Sequence, residues 1–189
     1  MTDPTAPADA AEVATLRAIV EGTAGRAGEE FFRALVRNLS RATGVPNAFV
    51  AEFAGSNTRV RTIAYWSGGL FQPPAEWDLP GTPCEEVLSG NLCHHPAGVW
   101  QKFPKDAGVE SYLGVPLRDA GGAVLGHLAV YDAQPMPAEP RLLFTFQIFA
   151  ARAAAELDRL RMDRMLRDSE ERLRDLFDEA PIAYVHEDL

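Results

Sequence analysis

Cysteine is nearly absent from this 189-residue chain, which holds only Cys84 and Cys93. Two thiols cannot form a disulfide framework, and these two lack the Cys-x-x-Cys spacing of a zinc site. Long apolar runs are missing as well. None approaches the roughly 20 residues that span a bilayer, and the acidic, proline-bearing start is no signal peptide. Basic residues are outnumbered, 18 Lys and Arg against 27 Asp and Glu, for a net charge of −9. That balance disfavours a nucleic-acid-binding surface and points to a soluble, cytoplasmic protein with reduced thiols. Also lacking are a glycine-rich phosphate loop, a Ser/His/Asp constellation and a His-Glu-x-x-His helix. The expectation is that the chain is not an enzyme, because no reaction finds residues to carry it.

What is present is hydrophobic content of 47%, enough for one sizeable core with a fragment of something else attached. The organising stretch is residues 110–132. Leu113, Val115 and Leu117 recur at strand period, and a second limb over 124–131 alternates Val124, Leu128 and Val130 against Leu125, His127, Ala129 and Tyr131. Arg118-Asp119-Ala120-Gly121-Gly122 turns the chain between them, so the stretch reads as an antiparallel hairpin. Its second limb, apolar on both faces, reads as a central strand. Gly114 and Pro116 inside the first limb predict a bulge or a ligand-facing bend.

Before this hairpin, residues 1–9 read as disordered and 10–20 as a short helix, with Val13, Leu16, Ile19 and Val20 at helical spacing. A second helix is predicted over 29–42, striped by Phe32, Leu35, Val36 and Leu39 and stopped by Gly44 and Pro46. Residues 47–53 and 60–66 read as two hairpin strands. From 67 to 109 the pattern weakens, with six prolines and both Trp77 and Trp100. A helical turn over 84–88 starts behind Thr82 and Pro83, and 94–99 suggests a short edge strand. A connection this long is expected to serve as a lid over a pocket.

After the hairpin, a long helix runs from about 139 to 179. Leu143, Phe146, Phe149 and Ala150 are expected to pack on the sheet. Ala153, Leu157 and Leu160 form one seam, and Met162, Leu166, Leu173 and Leu176 a second at 4-7-3 spacing. This predicts a dimerising coiled coil over 157–179 with a register shift near Arg161. Ala180 and Pro181 end it, and Ile182 to Val185 begin a strand cut short, as in a fragment of a longer protein.

The residues Gly81-Thr82-Pro83-Cys84-Glu85-Glu86-Val87, Phe103-Pro104, Glu110-Ser111-Tyr112-Leu113-Gly114-Val115-Pro116-Leu117, and Gly122 with Leu125-Gly126-His127-Leu128 resemble the GAF domain, a small-molecule sensory module. They look most like a bacterial subgroup that precedes histidine kinase, diguanylate cyclase or formate-hydrogenlyase-activator-type modules. The resemblance covers about 28–157, with a GAF domain placed at 10–156. One departure is the short segment between Pro104 and Glu110. The resemblance implies an α+β fold: a five- or six-stranded antiparallel sheet, leading and trailing helices on one face, and a ligand pocket on the other. Separately, Ser169-Glu170-Glu171-Arg172-Leu173-Arg174-Asp175-Leu176-Phe177 with Ala180-Pro181-Ile182 resembles the opening of a PAS domain, so 180–189 reads as its truncated start. The implied protein is a homodimer that binds an unknown small molecule and passes a signal to a covalently linked PAS and output domain.

Candidate ligand-binding residues are Tyr65, Cys84, Trp100, Phe103, Tyr112 and His127, with Trp66 as a further aromatic wall candidate. Cys84 is either a redox-sensitive thiol at a helix start or a small buried plug. His127 either offers a hydrogen bond to a ligand or is a core histidine. Cys93-His94-His95 has metal-ligand chemistry and the dipeptide of bilin attachment, but strand alternation keeps His94 from joining Cys93 and His95. The residues after that dipeptide, Pro96-Ala97-Gly98-Val99, do not look like a chromophore helix. No metal or cofactor is therefore assigned. The Asn-Lys-Xaa-Phe-Asp-Glu signature of cyclic-nucleotide-binding GAF domains is absent. Two alternatives stand: a GAF domain used only as a dimerising spacer, and a free methionine sulfoxide reductase using Cys84 and Cys93.

Overall fold

The computed structural model describes residues 25–137 and 140–179. The expectations for residues 1–9, for a short helix over 10–20 and for a PAS start over 180–189 lie outside these residues. The chain divides into two compact units, one reaching Asp158 and one beginning at Arg159.

In the first unit, α1 (Gly28–Thr43) forms where the predicted stripe recurs at helical period, and Phe32, Leu35, Val36 and Leu39 are wholly buried. Each such side chain contributes about 1.5–3 kcal/mol relative to exposure. Glu29 and Glu30 sit at the positive end of the helix and Arg41 in its last turn, matching the helix dipole. The chain then enters β1 (Asn47–Ala54), turns at Gly55 and returns as β2 (Ser56–Ser67). β2 starts four residues before the predicted strand, because the tip is tighter than the expected Ala-Gly-Ser-Asn loop.

The long connection carries more regular structure than its sequence suggests. It holds β3 (Leu70–Phe71), β4 (Glu76–Asp78), α2 (Pro83–Leu88), β5 (Cys93–His95), α3 (Val99–Lys102) and a 3-10 turn (Pro104–Asp106). The hairpin follows as β6 (Ser111–Arg118) and β7 (Val124–Asp132), and α4 (Pro140–Glu179) closes the described chain.

The seven strands form one antiparallel sheet in the order β3-β2-β1-β7-β6-β5, with β4 also paired to β2. This exceeds the five or six strands expected, and the surplus is the short strands of the connection. As predicted, β7 is central, between β1 and β6. The irregularity expected at Gly114 or Pro116 falls instead between Leu117 and Arg118, where Leu125 is the extra residue opposite. Pro116 needs no bulge, since the β5 pairing ends at Gly114 and its missing N–H would have no ladder partner on that side.

Alternation sends Val50, Leu113, Leu117, Leu128 and Val130, all wholly buried, to one face. There α1 packs on β1 and β2. The first half of α4 lies beside α1: the Gly28 N–H donates to Glu156 Oε1 at 2.6 Å, and Arg152 sits over the Phe31 ring. Phe146, Phe149 and Ala153 of α4 are buried, as is Leu157. Leu157, expected in the dimer seam, is instead wholly buried in the core of its own domain. At Gly126 the backbone of β1 approaches β7 closely. A Cβ there would stand 2.1 Å from the Ala51 carbonyl oxygen.

The second unit is described only as helix, to Glu179. Met162, Met165, Leu166, Leu173 and Leu176 are more than half exposed on it. Leu160, at its start, is half-buried. Among the described residues, no helix is long and apolar enough to cross a membrane.

Candidate ligand site

The other face of the sheet carries Phe49, Ala51, Tyr112, Ala129 and Tyr131, and the connection from β3 to the 3-10 turn folds over it. A bulge makes this face possible. Val50 pairs with Ala64 but Ala51 pairs with Thr62, leaving Ile63 as an extra residue in β2. The slip puts Thr62 and Tyr65, an odd number of residues apart, on the same side.

Between sheet and connection lies a hollow of about 450 Å³, within the range of small-molecule sites. Phe49, Tyr65, Trp77, Tyr112 and Tyr131 form its aromatic wall, and Thr82, Cys84, Lys105 and Asp106 its roof. Phe49 is the hub, edge-on to Tyr65, Trp77 and His127 at 6.1, 5.4 and 5.2 Å between ring centres. The Tyr65 and Tyr131 hydroxyls hydrogen-bond to each other. Tyr112 lies along β6 over Gly114, its hydroxyl 3.5 Å from the Cys84 sulfur. Any Cβ at Gly114 would stand 2.6 Å from that hydroxyl.

Polar groups on this wall are less well served. Burial raises the Asp106 carboxyl above the usual carboxylate range, with Lys105 opposing the shift. Its Oδ2 is buried and has no hydrogen-bond partner among the described residues. Lys105 donates instead to the Pro80 carbonyl at 2.7 Å. Burial pushes the Cys84 thiol up to about 11, against the lowering hydrogen bond from Tyr112. Cys93 rises to about 12, from burial and then from neighbouring Glu86. A reactive thiolate needs shifts of the opposite sign. The helix start behind Cys84 does not overcome desolvation in so short a helix.

Of the residues singled out in the sequence, Tyr65, Cys84 and Tyr112 meet at the hollow. His127 lies on the same face but beneath Phe49. It is wholly buried, neither ring nitrogen has a partner among the described residues, and burial lowers its pKa to about 3. Phe103 packs in the neighbouring core against His95. Trp100 is 49% exposed, its indole N–H donating to Glu110, so it forms no part of the wall. Trp66 packs edge-on against Phe71, away from the hollow lining. Phe49, Thr62, Trp77, Asp106 and Tyr131 also line the hollow and are not among the ligand-binding candidates read from the sequence. Phe49 was within reach, because it faces Tyr65 across the predicted first hairpin.

A second cluster stands beside the first. Glu86, Cys93 and His95 bring one donor atom each within 4.8 Å of one another. Strand alternation keeps His94 out, as expected. The carboxylate comes from α2, which strand spacing alone does not reveal.

An antiparallel sheet with helices on one face and a roofed hollow on the other defines an α+β module. The chain belongs to the GAF domain family, whose family model matches residues 28–157. No curated protein matches it. Among solved structures, the GAF domain of an Acinetobacter phosphoenolpyruvate-protein phosphotransferase superposes with a TM-score of 0.66 at 18% identity, covering 80% of this chain and 95% of that one. A GAF domain described as that of a sensor histidine kinase from Pseudomonas syringae pv. tomato gives 0.61 at 16% identity, covering 86% and 99%. The chromophore-binding domain of the Stigmatella aurantiaca bacteriophytochrome gives 0.62 at 13% identity, covering 82% of this chain and 60% of that one. At these identities the likeness is one of fold.

Proposed function

We propose that this GAF domain is the sensory part of a multidomain signalling protein, regulating it by binding a small molecule and not by turnover. The observation that carries the reading is the hollow itself, aromatic on its walls with one buried, unpartnered carboxylate oxygen, Asp106 Oδ2. An unmet acceptor in an apolar wall costs about 1–3 kcal/mol unless a donor reaches it. The fitting ligand therefore has a flat apolar body and an N–H or ammonium group directed at Asp106. Aromatic faces around a cation would add to that preference.

Binding regulates only if it favours one conformation over another. The roof elements, α2 and the 3-10 turn, close over the ligand, while β6 and β7 form the floor and lead into α4. The exposed row Met162, Leu166, Leu173 and Leu176 keeps the 4-7-3 spacing of a coiled-coil seam. In this reading two copies pair along it in parallel and carry the change to a PAS domain and a kinase, cyclase or activator output. The raised thiols favour this over a methionine sulfoxide reductase, for which no turnover is expected.

Native mass spectrometry of freshly purified protein, with thermal-shift screening of amine-bearing aromatic compounds, tests the site. A retained or stabilising compound is expected, with affinity falling about 10–100-fold in Asp106→Asn, the scale of a hydrogen bond to a charged group. No retained mass and no stabilising compound would leave only a spacer. Single cysteines at Leu166 and Leu173, in a Cys84→Ser/Cys93→Ser background, test the helix. Absence of cross-linked dimer would remove that half of the proposal.

A further inference from the structure

Glu86, Cys93 and His95 take no part in the hollow, and their chemistry differs from it. Residues two apart on a strand share a face, so β5 presents a sulfur and an imidazole together. From α2, the Glu86 carboxylate meets both: Oε2 lies 3.3 Å from Cys93 Sγ and 3.3 Å from His95 Nε2. Tetrahedral zinc, with its usual bond lengths, spaces sulfur, nitrogen and oxygen donors about 3.4–3.6 Å apart. Two edges of such a coordination figure are therefore close to that length, slightly short of it, and the third lies within 4.8 Å.

The surroundings suit an ion as well. Lys102 takes the other carboxylate oxygen, Oε1, at 2.7 Å, which orients Glu86 and leaves Oε2 facing the other two donors. The sulfur is buried, while the His95 and Glu86 side chains are 23% and 40% exposed. A cation thus has an approach from solvent and room for a water as fourth ligand. One thiolate, one imidazole and one carboxylate favour zinc-like divalent ions over magnesium or calcium, which want oxygen alone.

We infer that Glu86, Cys93 and His95 form a binding site for one zinc-class divalent cation, clamping α2 to β5. On binding, the Cys93 S–H bond breaks, its electron pair becomes the metal–sulfur bond and the proton leaves to solvent. Nothing is oxidised or reduced. The clamp adjoins the hollow, since Cys93 pairs with Gly114, His95 pairs with Tyr112, and Glu86 follows Cys84 by two residues. The inference does not require the hollow to bind anything.

Cobalt(II) serves as the probe, titrated into tag-free, metal-free protein. Expected are one equivalent bound, a sulfur-to-cobalt charge-transfer band, intense tetrahedral d–d bands and one proton released, with zinc displacing the colour. Cys93→Ser removes the charge-transfer band. Glu86→Gln and His95→Gln, at half-exposed positions, weaken binding tenfold or more with unchanged circular dichroism. His94→Gln, whose ring points to the opposite face, leaves the titration as it was. No charge-transfer band at millimolar cobalt, or a band that survives Cys93→Ser, overturns the site.

Discussion

On one face of the sheet, Leu113, Leu117, Leu128 and Val130 are wholly buried hydrocarbon beneath the helices. On the other, among the residues that alternate with them, Tyr112 and Tyr131 carry a hydroxyl and His127 a ring nitrogen, while Gly114 and Ala129 are small. The same strands therefore do two jobs. The hydrocarbon face keeps its few polar side chains near the strand ends, where Ser111 donates to the Gln134 carbonyl and Glu52 pairs with Arg61, and fills its middle with apolar groups that bear on stability. The hollow face keeps hydrogen-bonding groups out of water with incomplete partners, a cost in stability that leaves capacity for a ligand.

Four substitutions probe this division, in falling order of effect. Leu128→Ala, on the hydrocarbon face, is expected to cost about 3–5 kcal/mol in urea unfolding and to leave ligand retention per folded molecule unchanged. A loss of binding without loss of stability would break the comparison.

His127 comes next, a buried titratable group on the hollow face that Phe49 shields. Its folded pKa, near 3, is depressed from the ordinary 6.5, so its contribution is present above pH 6.5 and is lost as pH falls towards 3. The steepest loss is about 1.4 kcal/mol per pH unit, the limit for one proton. His127→Met is expected to flatten that limb of the stability–pH curve relative to the parent. Parallel curves for parent and variant would show that burial does not hold this ring neutral.

Gly114→Ala is third, at about 1–3 kcal/mol, because the added methyl collides with the Tyr112 hydroxyl and with Val87. The ring then swings from Cys84 into the hollow, and ligand retention falls more than stability does. Tyr131→Phe is the mildest. Losing the bond to Tyr65 costs about 1 kcal/mol or less, read as a small shift in thermal midpoint with a clear change in ligand affinity.

Much of the scaffold was legible because its signals are local. The α1 stripe, the β6–β7 hairpin and the proline-started α2 each follow from periodicity or end chemistry within a dozen residues. Tyr112 and Cys84 were found through motifs next to those elements. Trp100 was misjudged because α3 is a single turn, too short for periodicity to say which way an indole points. Asp106, Trp77 and Tyr131 come together only through the ladder, and the ladder depends on a bulge that no local rule marks. Glu86 reads in sequence as a charge at a helix start, and only the fold brings it over Cys93 and His95. Leu157 shows a different limit: one apolar stripe on α4 serves first the domain's own core and then an exposed face, and heptad spacing alone does not mark where it changes hands.

That unmarked kink in β2 has a wider consequence. With strict alternation through Ile63, Ala64 and Trp66 would look into the cavity and Tyr65 would turn to the helices. The vacancy would then trade a phenol for an indole and lose its paired hydroxyls. A single slip in one edge-side strand thus acts as a selector for what the chamber accepts, while β6 and β7, the strands that hold the molecule together, keep their lettering.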